Sequence, residues 1–188
     1  MKRLVSSIVS IVSPVLFAVF PAAVFAQTDL GIAAYTEAGE LRYPANLVEW
    51  IQSGTTLGGR YNGEAFDPQN PGVLGVVQME PAAYRYFLEN GTYADGTMFL
   101  LNFYEAVSKS EPQMAGFVQG ALMSQEIHVL DKARFNDGHG FFIYENREQA
   151  VSTRIPEGNE CTACHNEHGA FDGTFIQFYP DLRARLEQ

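Results

Sequence analysis

Cysteine is scarce in this chain. Its 188 residues include 2, which excludes a disulfide-braced scaffold. Positive charge is scarce too: 12 Lys and Arg stand against 22 Asp and Glu, for a net charge of −10. So few cations cannot neutralise a phosphate backbone, which argues against a nucleic-acid partner. Internal repeats and low-complexity tracts are absent. One long apolar run occurs, at the N-terminus. What is plentiful is apolar and aromatic: 46% hydrophobic and 13% aromatic, with 14 Phe and 9 Tyr. That length and composition suit one domain with a sizeable core.

Residues 1–26 read as an export signal. Lys2 and Arg3 form a basic start, and Leu4 to Ala26 carries no charge. Pro21 breaks the run near its end, and Val24-Phe25-Ala26 offers small residues where a signal peptidase reads. Cleavage is expected after Ala26, giving a periplasmic or otherwise exported protein. An uncleaved anchor is the rival, since about 20 apolar residues span a bilayer. Four serines and two prolines weaken it. No cysteine follows the run, so lipid attachment is not expected. Losing Lys2 and Arg3 takes the charge from −10 to −12 and leaves 162 residues. No other run approaches spanning length, so no membrane association is expected of the mature form.

Residues 27–40 are small and polar and read as an N-terminal arm. Residues 41–188 read as a single domain. Leu47, Trp50 and Ile51 have the spacing of one helical face, predicting a helix over 43–51. Pro81 opens a second helix and Gly91 closes it, with Tyr84, Phe87 and Leu88 as its buried stripe. Residues 73–79, 98–104, 127–130 and 140–144 read as strands, and Asp95-Gly96 as a turn. Residues 53–72, rich in Gly, Asn and Pro, read as a long loop. Phe178 to Leu186 reads as a terminal helix. The fold class is α+β, mostly antiparallel β-sheet with a few packing helices.

The two cysteines stand in Cys161-Thr162-Ala163-Cys164-His165, which is C-x-x-C-H, the c-type haem attachment pattern. Two thiols one helical turn apart can each add to one vinyl group of a haem. The next residue then offers an imidazole to the iron, leaving the far face open. The export signal supports this independently, since haem is attached outside the cytoplasm. A C-x-x-C redox pair would need a thioredoxin-like βαβ context. A zinc site would need more Cys or suitably spaced His. One motif predicts one haem c, held through Cys161 and Cys164, with His165 as the metal ligand.

The stretch Cys161 to Pro180 resembles the haem segment of the cytochrome P-460 family. Asp95-Gly96-Thr97-Met98-Phe99 and Val129 to Phe135 are similar to the family as well, and the likeness runs over most of residues 41–182. The resemblance implies an antiparallel sheet with helices, unlike the four-helix cytochromes c′, and often a homodimer. It implies a five-coordinate haem with His165 as the proximal ligand. In the hydroxylamine-oxidising members a lysine in the strand after the D-G-T turn is cross-linked to the haem edge. The matching position here is Leu101, which has no nucleophilic atom. Lys109 falls eight residues further on, past the strand as read.

Members without that lysine resemble the cytochromes c′-beta, whose apolar distal pocket is often capped by phenylalanine. Strand alternation puts Phe99, Leu101 and Phe103 on one face. Phe66, in the long loop, is a further candidate cap. Glu126 matches a carboxylate that some members place at the pocket, where it could relay protons. His128 reads as a structural strand residue, His139 as an exposed turn residue, and His168 as a possible hydrogen-bonding neighbour of the haem. Met79, Met98, Met114 and Met123 read as core rather than as sixth ligands.

The function expected is an exported mono-haem cytochrome that binds a small diatomic or nitrogen-oxide ligand such as nitric oxide. An oxidoreductase acting on hydroxylamine or nitric oxide is the first alternative. A six-coordinate electron-transfer cytochrome is the second. A redox partner is expected in the last two cases.

Overall fold

The computed structural model describes residues 29–58, 65–109, 111–112 and 115–187. The segment read as an export signal lies outside the described residues, as does Met114.

Five strands form one antiparallel meander in the order β2-β3-β4-β5-β6. They are β2 (Ile51–Leu57), β3 (Val73–Met79), β4 (Thr97–Lys109), β5 (Gly116–Leu130) and β6 (His139–Tyr144). The short strands β1 (Leu41–Arg42) and β7 (Val151–Ser152) pair separately. Helix α1 (Pro81–Asn90) joins β3 to β4, and α2 (Glu160–His168) and α3 (Pro180–Leu186) follow the sheet. The expected α+β class with a mostly antiparallel sheet is what the chain adopts. Among the described residues no helix is long and apolar enough to cross a membrane.

Alternation splits the core across the two faces of the sheet. One face carries Met98, Leu100, Ile127, Val129, Phe142 and Tyr144, covered by Leu41 and Trp50. Residues 29–40 reach the same side, where Ile32, Ala33 and Tyr35 pack on that cluster. The other face carries Val77, Met79, Phe99 and Leu130 under Phe87, Tyr93, Ile176 and Leu182.

Local chemistry explains α1. Pro81 sits at its first turn, and the Glu80 carboxylate accepts from Ala82 N at 2.6 Å and Ala83 N at 2.9 Å. Gly91 ends it at φ 69°, a left-handed value that costs glycine nothing.

Three expectations are corrected. No α-helix spans 43–51; only a 3-10 turn forms over Leu47–Glu49. Asn46 takes φ 56°, which blocks helix entry, and Ile51 leaves the turn to pair with Met79. The supposed loop 53–72 begins as strand, because Gly54 to Leu57 are hydrogen-bonded to β3. Strands β4 and β5 run far beyond 98–104 and 127–130. Lys109 is therefore the last residue of β4, paired with Gly116, and not past the strand.

Candidate functional site

The C-x-x-C-H segment is the helix α2. Asn159 caps it, its side-chain oxygen accepting from Thr162 N at 3.0 Å. Thr162 is buried and anchors the helix, while Cys161 is half-buried and Cys164 exposed. The cysteines are three residues apart on the helix, so they share a face, and both are free thiols. Burial pushes the Cys161 thiol up, and the Glu126 carboxylate pushes it further.

His165 lies one residue past the second cysteine, and its orientation is fixed. Its Nδ1 is 2.6 Å from the Gly173 carbonyl. A carbonyl can only accept, so Nδ1 carries the hydrogen and donates it. In the neutral ring Nε2 then holds the lone pair that a metal needs. Burial lowers the His165 pKa, which keeps the ring neutral. Three rings enclose it: His128 and Phe175, each at 4.6 Å, and Phe141 at 4.9 Å. Gly173 is required here. It has φ 63°, and a Cβ on it would meet His139 Cε1 at 2.5 Å.

The sheet orders the remaining candidates into rows on a single face. Phe99, His128 and Phe141 are register partners, and this row touches His165. The next row along the strands is Val77, Leu101, Glu126 and Ile143. The one after is Thr56, Gly75, Phe103 and Ser124. Leu101 and Phe103 are half-buried, and Ile143 is 44% exposed. Phe66 is 55% exposed, and its ring lies over the face of Gly58 at the end of β2. Leu101, Phe99, Phe103 and Glu126 thus share one face with the helix that carries Cys161, Cys164 and His165.

Glu126 is half-buried, and burial raises its carboxyl above the usual range. No hydrogen bond to it is found among the described residues.

Other candidates fall differently. His139 is not exposed as its turn suggested. It opens β6, is 7% exposed, and is 2.9 Å from His128 through their ring nitrogens. His128 is 8% exposed and stacks on Phe141 at 4.4 Å. His168 turns outward beside Glu167. Met79 and Met98 are locked in the core, and Met123 is exposed. The Gly173 acceptor, Phe175 and the His128–His139 pair were not foreseen. Alternation of Glu126 and His128 along β5 was the one signal that could have placed His128 on this face.

The family model described as Cytochrome P460 matches residues 50–176, well over half of the chain. The chain belongs to the cytochrome P-460 family. No curated protein matches it. Membership in the cytochrome P-460 family implies a haem c cofactor, and the residues fit one. The fit rests on the two free thiols of α2, on the unprotonated Nε2 of His165, and on the half-open apolar face beside them. Half-exposed Leu101, Phe103, Ile143 and Phe66 are the kind of apolar surface that a large planar ligand covers.

Proposed function

We propose that this cytochrome is exported, carries one haem c, and binds small neutral ligands such as nitric oxide at a five-coordinate iron. In this reading Cys161 and Cys164 hold the porphyrin through thioethers and His165 ligates the iron. The haem supplies the iron whose open position takes the ligand. This chain's residues then orient the imidazole and exclude water and charge. The observation that carries the reading is Leu101, which stands in the row next to the one touching His165. At the position of the enzyme-type lysine it offers a methyl surface. Phe103 continues that surface in the next row. An apolar wall admits a neutral diatomic and disfavours an anion, because an uncompensated buried charge is costly.

Glu126 favours a second reading, oxidation of hydroxylamine or nitric oxide. A half-buried carboxyl whose pKa burial raises holds its proton more readily than a free one, as a proton relay requires. In that case Glu126 is the proton relay, and an electron partner must follow. The acidic chain fits a basic partner. A homodimer accords with the family.

The visible spectrum of the reduced protein tests the first reading. A broad high-spin spectrum that changes on adding nitric oxide is expected. A sharp low-spin band indifferent to nitric oxide points to a six-coordinate electron carrier and sinks the proposal. The mass of the haem peptide separates the two readings. Haem plus the 161–165 peptide alone is expected, and an added cross-link mass favours the enzyme.

A further inference from the structure

Three groups close a circuit around the His165 imidazole. Its Nδ1–H donates to the Gly173 carbonyl at 2.6 Å. Gly173 lies flat against His139, close enough that a Cβ would stand 2.5 Å from the ring. His139 Nδ1 and His128 Nε2 are 2.9 Å apart and share one proton. The His128 ring returns to His165 edge to face, at 4.6 Å and 70°.

Burying two imidazoles costs more than burying two apolar rings unless each satisfies the other. Phe141, stacked on His128, shows that a plain ring packs well at this depth. His139 and Gly173 both border a cavity of about 270 Å³, lined also by Lys132, Asp137, Asn166 and Asp172. His139 has a side-chain hydrogen bond to Asn166 as well, and its Nδ1 contact with His128 Nε2 ties the ring to β5 where it packs on Gly173.

We propose that the His128–His139 pair is a positioning unit for the His165 imidazole. The pair pins the Gly173 carbonyl against Nδ1–H, and so sets how strongly Nε2 donates to the iron. A hydrogen bond from the second nitrogen of a ligand imidazole raises its basicity and fixes its ring. The proposal rests on His165 being the iron ligand.

The test uses the haem-loaded full chain. His128→Phe keeps the stacking on Phe141 and loses the bond to His139. Two readouts are taken: the iron–histidine stretching frequency of the ferrous protein by resonance Raman, and the reduction potential. The frequency is expected to fall and the potential to rise, because the imidazole becomes a weaker donor. His128→Gln, which can still bond His139, is expected to recover part of both shifts. Wild-type values in His128→Phe overturn the proposal. Absence of any iron–histidine band in the wild type overturns the His165 assignment instead, and the proposal with it. Should His128→Phe fail to fold, nitrogen-15 NMR of the wild-type ferrous carbon monoxide complex decides. A coupling across the hydrogen bond between His128 Nε2 and His139 Nδ1 is expected, and its absence overturns the pair.

Discussion

Leu101 on β4 and Glu126 on β5 stand directly opposite each other on one face of the sheet. Their row is next to the row that touches His165. One strand thus offers a methyl surface and its neighbour a carboxyl, side by side. The pair bears on both of the proposed chemistries. Leucine cannot bond covalently to a haem edge, while a carboxyl of raised pKa can serve a proton-coupled step. Register puts them together: one residue of slip between β4 and β5 would leave them on opposite faces.

Glu126 gives a prediction with a definite sign. Burial raises its carboxyl pKa. Between the ordinary carboxylate value and the raised one, the folded chain holds a proton that the unfolded chain releases. The contribution of Glu126 to stability is therefore greatest below the ordinary value and falls as pH rises through that window. Glu126→Gln removes the fall. In haem-free protein its advantage over wild type should grow from about pH 4 to about pH 7. Urea midpoints at both pH values check this, and an equal difference at both counts against it.

Gly173→Ala should act on stability and ligation together. A left-handed φ costs a non-glycine residue about 1–2 kcal/mol. The new Cβ must also push the His139 ring aside. For a chain of this size about 1 kcal/mol lowers Tm by roughly 2–4 °C. A melt lowered by less than about 2 °C, with an unchanged haem spectrum, would falsify the structural role given to this glycine.

Two phenylalanines near the site should respond in opposite ways. Phe87 is fully buried and stacks on Tyr93 at 4.6 Å. Phe87→Ala is expected to cost about 3–5 kcal/mol. Phe178 is 63% exposed, stacked only at its inner side on Phe175. Phe178→Ala is expected to stay within about 0.5 kcal/mol of wild type, as an exposed substitution does. Paired denaturant titrations distinguish them. Similar losses in both would place Phe178 in the core.

Much of this was legible in the chain itself. Strand β3 appears at its full bounds because Val73, Val76 and Val77 make 73–79 strand-prone even with Gly75 inside it. Helix α1 is framed by Pro81 and Gly91, whose backbone preferences act locally. The C-x-x-C-H segment needs only helical spacing. What stayed hidden depends on partners distant in sequence. The outer halves of β4 and β5 are largely exposed, Val107, Val118 and Met123 included, so no clean burial pattern marks them, and each is strand because the other is. The 43–51 pattern mimicked a helical face, since Leu47 and Trp50 do bury together, but through a turn at Asn46. His139 looked like an exposed turn residue. It is buried by a neighbour from β5 and a carbonyl-bearing glycine from beyond α2.

The cysteines carry the last prediction. Cys161 is half-buried with Glu126 near it, whereas Cys164 is exposed. If each forms one thioether, Cys161→Ser and Cys164→Ser should each keep the haem covalently bound through the other. Acid–acetone extraction should leave haem on both single variants and remove it from the double variant. Yields should differ. Attack on a vinyl group needs thiolate character, which burial and a neighbouring carboxylate suppress at Cys161. Cys164→Ser, relying on Cys161 alone, should therefore mature less completely than Cys161→Ser. The attached haem fraction, measured by mass spectrometry of the intact chain, reads this directly. Haem extracted from either single variant as freely as from the double one would mean that the cysteines do not act independently.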